Sequence, residues 1–227
     1  MIKIYITTIS ETSFDGADKR LSEYRRVKSQ RKKSGAASLA AGLLLDYALR
    51  EYGLCERDME YVENEHGKPF FKNCPDIKFS LSHSGEYAAC AVSGGNGSST
   101  GSGSPAGNGS SADIGIDAEQ FGDSKHVLAI AKRYFTANEY EYVKNSSDIK
   151  AAFFRLWTRK ESLLKAIGTG ISGGLSAYEV LDDEITVGNT EFYFSEISGY
   201  ENMSITVCAE ERAAKSEFIT TQMFEKI

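Results

Sequence analysis

The sequence predicts an α+β protein made of two similar lobes. Three observations carry that expectation. The chain is 227 residues long, enough for two packed units of about 100 residues each. Each half reads as a helix followed by short antiparallel strands, which suits paired α+β units better than one doubly wound sheet. A faint internal echo links the halves, between Phe79-Ser-Leu-Ser-His-Ser-Gly-Glu-Tyr87 and Phe194-Ser-Glu-Ile-Ser-Gly-Tyr200.

Ile2–Ile9 alternates like a first strand. Ala17–Tyr52 is helical with one break near Ser34-Gly35, and its second part carries an apolar stripe through Leu39, Leu43, Leu44, Tyr47 and Ala48. Glu60–Glu63 and Phe70–Phe71 are short strands. Ile77–Leu81 and Tyr87–Val92 form a strand pair around Ser84-Gly85. Asp113–Glu119 is a strand. Ser124–Tyr134 and Glu139–Val143 are helical, Thr136 and Glu139 having capping-box spacing. Ile149–Ile167 is a long helix with Ser147 as N-cap and Gly168 as terminator. Strands follow at Glu191–Phe194 and Ser204–Ala209. The predicted organisation is an N-terminal lobe over 1–93, a flexible Gly/Ser-rich loop over 94–112 and a C-terminal lobe over 113–227.

Composition excludes several classes. Hydrophobic residues at 41% and charged residues at 26% are ordinary for a folded globular chain. A net charge of −6 argues against a general nucleic-acid binder. No apolar run is long enough to span a membrane. The four cysteines are scattered with no C-x-x-C pair, which predicts reduced thiols in a cytoplasmic protein. The charge is uneven: residues 1–93 sum to +1 and the remainder to −7, and Lys19–Lys33 holds eight basic residues against the single acid Glu23.

On a strand, Asp117 and Glu119 project from one face while Ile116 and Ala118 project from the other. Neighbouring carboxylates repel unless they share a proton or a cation, and magnesium, a hard ion that takes oxygen ligands, suits them. The same pattern fits a polar strand face ending at a turn. On a helix, Trp157, Glu161 and Lys165 form one stripe. Glu161 and Lys165 by themselves make a surface ion pair; beside Asp117 and Glu119 they make a site for magnesium-assisted phosphate chemistry. The basic segment fits a solvated helix face or a site for a small polyanion, to which Lys68, Ser82, His83 and Ser84 would add phosphate donors.

Two superficial motifs lead nowhere. Gly168-Thr-Gly-Ile-Ser-Gly173 follows a helix rather than a strand, so it is no dinucleotide fingerprint. Ser82-His83-Ser84 is not a nucleophile elbow. There is no P-loop.

Gly67-Lys-Pro69, Phe79-Ser-Leu-Ser-His-Ser84, Ile114-Gly-Ile-Asp-Ala-Glu119 and Trp157-Thr-Arg-Lys-Glu-Ser-Leu-Leu-Lys165, followed by Gly168-Thr-Gly170, occur in an order and spacing that resembles the two-lobed 4′-phosphopantetheinyl transferases of the surfactin-synthetase-activating type. Ala131-Lys-Arg-Tyr-Phe-Thr-Ala-Asn-Glu139 resembles the family's segment between the last two motifs. The resemblance implies a pseudo-twofold pair of lobes with the site at their interface. It implies transfer of the 4′-phosphopantetheine arm of coenzyme A to a serine of an apo acyl, peptidyl or aryl carrier protein, releasing adenosine 3′,5′-bisphosphate. Asp117, Glu119 and Glu161 would hold Mg2+. Glu161 would act as base toward the serine, directly or through water, and Lys165 would meet the charge of the leaving phosphate. Arg25, Lys28, Lys68, Ser82 and His83 would bind coenzyme A. Ser38 stands where many relatives carry an arginine, with Lys32 or Lys33 as its substitute. The implied enzyme is a cytoplasmic monomer with no nucleic-acid or membrane partner. The alternative is a non-catalytic carrier-protein or coenzyme A binding module of the same fold.

Overall fold

Alternating isoleucines set the position of the first strand, β1 (Ile2–Thr8): Ile2, Ile4 and Ile6 enter one apolar cluster while Tyr5 enters another on the opposite face. The computed structural model describes residues 2–10, 12–30, 34–94, 113–170 and 174–212, together with the backbone of 215–218. The Gly/Ser tract beyond Gly94, the basic residues 31–33 and residues 171–173 lie outside the described residues.

After β1 come helices α1 (Ala17–Arg20), α2 (Glu23–Gln30) and α3 (Gly35–Arg50). The single predicted break becomes two. At the first, Leu21 is extended and the Ser22 N–H and hydroxyl both donate to the buried Glu56 carboxylate, at 2.6 and 2.9 Å. A side chain 34 residues away thus takes the turn's donors, which helical periodicity cannot foretell. Strands β2 (Tyr61–Glu63) and β3 (Pro69–Phe71) form a small hairpin, and β4 (Ile77–Ser84) and β5 (Tyr87–Gly94) a longer one.

The second lobe holds β6 (Ile114–Gln120), α4 (Val127–Tyr134), α5 (Ala137–Lys144), α6 (Ile149–Ile167), β7 (Glu184–Val187), β8 (Thr190–Glu196) and β9 (Met203–Ala209). The Thr136–Glu139 capping box closes in both directions. The N-cap of α6 is Asp148 rather than Ser147, its carboxylate accepting the Ala151 N–H at 2.9 Å. Gly168 ends α6 with φ +74°, a left-handed conformation that glycine adopts without strain.

Two four-stranded sheets result, in the orders β10-β1-β5-β4 and β6-β9-β8-β7, where β10 is Lys215–Phe218. Within them β1, α3, β4 and β5 match β6, α6, β8 and β9 in order and in antiparallel pairing. The echo between residues 79–87 and 194–200 falls on the equivalent strands β4 and β8. The fold is therefore α+β with two alike lobes. One strand departs from a simple division at residue 113: β10 pairs in parallel with β1 and completes the first lobe's sheet.

Three apolar clusters stack through the described residues. One lies between α3 and the first sheet, a second between α6 and the second sheet, and a third joins the lobes through Ile2, Ile4, Ile6, Ile114, Ile116 and Ile205. No helix among the described residues is long and apolar enough to cross a membrane.

Candidate active site at the lobe junction

Strand β6 carries the carboxylates, and its apolar alternates fix which way they face. Ile116 and Ala118 are buried in the interlobe cluster, which turns Asp117 and Glu119 to the other side. Helix α6 crosses that side closely at Gly115, where an added Cβ would lie 2.0 Å from the Ser162 carbonyl oxygen. The close approach brings Lys165 onto the strand. Its ammonium donates to Asp117 Oδ1 at 2.6 Å, to the Ile116 carbonyl at 2.9 Å and to Ser82 Oγ at 3.1 Å.

The third carboxylate, Glu161, stands one helical turn before Lys165. Burial, followed by repulsion from Asp117 and Glu119 that Lys165 offsets only in part, pushes its pKa up to about 7. Burial and the Asp117 charge also raise that of Glu119. Asp117 Oδ2 is buried with no hydrogen-bond partner among the described residues. Three acids therefore feel one another at the site, although no three His, Cys, Asp or Glu side chains among the described residues are gathered into ready-made metal geometry.

Beside Lys165 opens a cavity of about 280 Å³, lined by Arg25, Lys28, Lys68 and His83, with Phe79, Leu81, Ala41 and Pro69 as apolar wall. Arg25 is only 7% exposed. Its Nε donates to the Tyr61 hydroxyl at 3.1 Å, its guanidinium lies over the Tyr61 and Phe79 rings at 5.0 and 5.6 Å, and its Nη2 is buried without a partner among the described residues. Lys28 donates to Tyr24 at 2.7 Å and to Glu63 at 3.1 Å. The basic segment is thus in part a buried wall rather than a solvated face. Ser38 lines the same cavity; Lys32 and Lys33 fall outside the described residues.

Lys68 joins the lobes. Its ammonium donates to the Ala166 carbonyl at 2.7 Å, in the last turn of α6, where a cation complements the helix dipole. Burial draws its pKa below the ordinary lysine value.

Of the residues expected to bind coenzyme A, Arg25, Lys28, Lys68 and His83 share this cavity and Ser82 does not line it. The Ser82 hydroxyl donates to Asp117 Oδ1 at 3.0 Å and accepts the Ala118 N–H at 3.2 Å. Sequence reasoning did not reach the next contact: Ser84 donates to Glu119 Oε2 at 3.0 Å. Nor did it find Asn64, whose amide donates to the Gly168 carbonyl at 2.8 Å and whose Oδ1 accepts the Lys68 N–H at 2.9 Å. An asparagine opening the Asn64–Gly67 turn was the available signal. Two charged residues of the helical motif are structural. Arg159 is buried on Glu196, Asp183 and three carbonyls, and Lys160 is buried against Glu139 at 2.8 Å.

Residues 113–211 match the 4′-phosphopantetheinyl transferase superfamily. A 4′-phosphopantetheinyl transferase of Bacillus subtilis is 30% identical over 176 residues, covering 74% of this chain and 70% of that protein. The 4′-phosphopantetheinyl transferase Sfp of Bacillus subtilis (strain 168) is 33% identical over 134 residues, and gsp of Aneurinibacillus migulanus 32% over 142. In those two the match covers 58% and 61% of this chain and 51% of either relative, about half their length. All three relatives are named as the transferase that the motifs led us to expect. With two alike α+β lobes, the motif carboxylates and Lys165 together at their junction, and a relative of this identity aligned over most of both chains, the chain belongs to the 4′-phosphopantetheinyl transferase superfamily.

Proposed function

We propose that this protein transfers the 4′-phosphopantetheine arm of coenzyme A to a serine hydroxyl of an apo acyl, peptidyl or aryl carrier protein, acting as a cytoplasmic monomer. One observation carries the reading: a cavity lined with basic groups runs up to Lys165, whose ammonium is bonded to Asp117 among the three acids. A polyanion held there meets cations along its length and carboxylates at its end. The organisation we infer is a lobe over 1–93, a Gly/Ser loop over 94–112 and a lobe over 113–227, with β10 crossing back to the first sheet.

The carboxylates fit a magnesium ion. The donors are hard oxygens, Asp117 Oδ2 is buried without a partner among the described residues, and the pKa values of Glu119 and Glu161 are raised by burial and then by a mutual repulsion that a cation would relieve. Asp117, Glu119 and Glu161 would hold it. Bound there, magnesium supplies charge neutralisation on the diphosphate. Arg25, Lys28, Lys68 and His83 bind and orient the nucleotide end of coenzyme A, and Phe79 and Leu81 offer it an apolar wall. The carrier serine oxygen attacks the phosphorus that bears the pantetheine arm. A P–O bond forms, the bond to the bridging oxygen breaks, and adenosine 3′,5′-bisphosphate departs. Glu161, ionised once the cation is bound, takes the serine proton directly or through water. Lys165 meets the negative charge that develops on the leaving phosphate.

The test is intact-mass analysis of a small panel of apo carriers incubated with the protein, coenzyme A and Mg2+. The expected result is a gain of the phosphopantetheine mass on at least one carrier, abolished by Asp117→Ala and by Glu161→Ala in folded protein. No gain on any carrier would overturn the reading.

A further inference from the structure

The two sheets meet where the edge strand of one, β4, runs beside the edge strand of the other, β6. The β6 amides that point away from β9 find serine hydroxyls in place of a partner backbone. Ser80 Oγ accepts the Ile116 N–H at 3.0 Å, Ser82 Oγ that of Ala118 at 3.2 Å, and Ser84 Oγ that of Gln120 at 2.9 Å. The spacing is constant, each serine meeting the residue 36 positions on. Three alternate serines of one lobe thus act as a comb along an edge of the other.

A hydroxyl has one proton to donate and two lone pairs that accept. In Ser82 the lone pairs take the Ala118 N–H and the Lys165 ammonium, so its one proton goes to Asp117 Oδ1. In Ser84, with the Gln120 N–H accepted, the proton goes to Glu119 Oε2. At the register position matching Ser80 the strand has Gly115, which offers no carboxylate. The comb therefore occupies one oxygen of Asp117 and one of Glu119, and Asp117 Oδ2 is left buried with no partner among the described residues.

We propose that Ser82 and Ser84 are positioning residues through which the N-terminal lobe orients the metal-binding carboxylates of the C-terminal lobe, each spending its single proton on one carboxylate oxygen so that the other is presented to the cation. The inference rests on the reading of Asp117 and Glu119 as magnesium ligands. It makes the FSLSHS segment part of the metal site's support as well as a wall near the coenzyme A cavity. Hydrogen-bond partners of metal ligands typically govern affinity by about 10- to 100-fold.

Ser80 supplies an internal control, because it makes the same bridge to β6 without touching a carboxylate. Binding of Mn2+, a probe for Mg2+, is measured by electron paramagnetic resonance with coenzyme A saturating for each variant, since Ser80 also lines its cavity, alongside melting temperature, for the wild type, Ser80→Ala, Ser82→Ala, Ser84→Ala and Ser84→Thr. The expected result is that all three alanine variants melt lower. Ser82→Ala and Ser84→Ala should bind Mn2+ about 10-fold or more weakly, Ser80→Ala should bind as the wild type does, and Ser84→Thr, which keeps the hydroxyl, should recover affinity. Equal Mn2+ affinity in all three alanine variants would reduce the serines to lobe staples and overturn the inference alone. A wild type that binds no Mn2+ would overturn the metal reading and this inference with it.

Discussion

Lys165 and Asp117 are joined across the packing of α6 on β6, ammonium to carboxylate oxygen at 2.6 Å, with the lysine's other two donors on the Ile116 carbonyl and the Ser82 hydroxyl. The cation expected to meet the leaving phosphate is thus held by the strand that carries the acids. Replacing it with the uncharged Lys165→Met should lower kcat by about 10²–10³-fold, the usual loss for one electrostatic stabiliser, with the far-ultraviolet circular dichroism unchanged. A kcat within a few-fold of wild type would remove Lys165 from the chemistry.

Glu161 makes the site pH-sensitive in a definite direction. Its folded carboxyl releases its proton at about 7 and the unfolded one near 4.5. Between those values the native state holds a proton that the unfolded state has lost, so metal-free stability falls as pH rises from about 4.5 through about 7. A cation favours the ionised form, so Mg2+ should raise the melting temperature more at pH 8 than at pH 6. Melting curves at the two pH values with and without Mg2+ decide it; an equal or smaller gain at pH 8 contradicts the assignment.

Arg25 is prepared for an anion. With Tyr61 and Glu56 holding its Nε and the Tyr24, Tyr61 and Phe79 rings around its guanidinium, Nη2 has no acceptor among the described residues. Hydrogen bonds to charged groups contribute about 1.5–3 kcal/mol. Arg25→Ala should therefore raise the KM for coenzyme A about 10- to 100-fold with a smaller effect on kcat, read from steady-state kinetics against coenzyme A. An unchanged KM would take Arg25 out of the binding site.

The Lys160–Glu139 pair serves stability rather than chemistry. Both side chains are at most 1% exposed, and Lys160 also holds the Leu175 and Tyr178 carbonyls. Lys160→Met strands Glu139 as a buried charge and should cost about 3–5 kcal/mol. Pairing it with Glu139→Gln should recover part of that loss. Chemical denaturation of the single and double variants measures both, and the folded single variant should keep its kcat.

Gly115→Ala should damage fold and site together. The new methyl would sit 2.0 Å from the Ser162 carbonyl, so α6 must move outward and carry Lys165 with it. Overpacking of this kind typically costs about 1–3 kcal/mol. Melting temperature and kcat should both fall, whereas a variant that melted lower with an unaltered kcat would show that the site tolerates the shift.

The parts legible in the sequence are those set by local periodicity. The alternation of Ile116 and Ala118 with Asp117 and Glu119 gave β6 its faces, and the run from Ile149 to Gly168 gave α6 its length. The echo of residues 79–87 in 194–200 showed the repeated lobe because the equivalent strands β4 and β8 both kept it. Contacts decided at long range were not legible. Glu56 broke the basic helix at Ser22 from 34 residues away. Ser82 looked like a phosphate donor because nothing local reveals that its hydroxyl is used by Asp117. Arg159 and Lys160 sat in the same charged motif as Glu161 and Lys165, the residues proposed for the chemistry, and only burial separates the two pairs. The basic segment pointed to a polyanion, but two of the three rings that wall Arg25 come from Tyr61 and Phe79, far along the chain.

The parallel pairing of β1 with β10 has a consequence for how the molecule is made. Lys3 aligns with Lys215 and Ile6 with Phe218. During synthesis β1 emerges first, yet its outer edge finds a partner only after more than two hundred further residues have left the ribosome. Until then that edge is an open template for other chains, and pairing so distant in sequence is slow to form. The nascent protein should therefore be most prone to association between completion of the first lobe and arrival of β10. Truncation before Lys215 would make that passing vulnerability permanent, in a protein that still carried every residue of the candidate site.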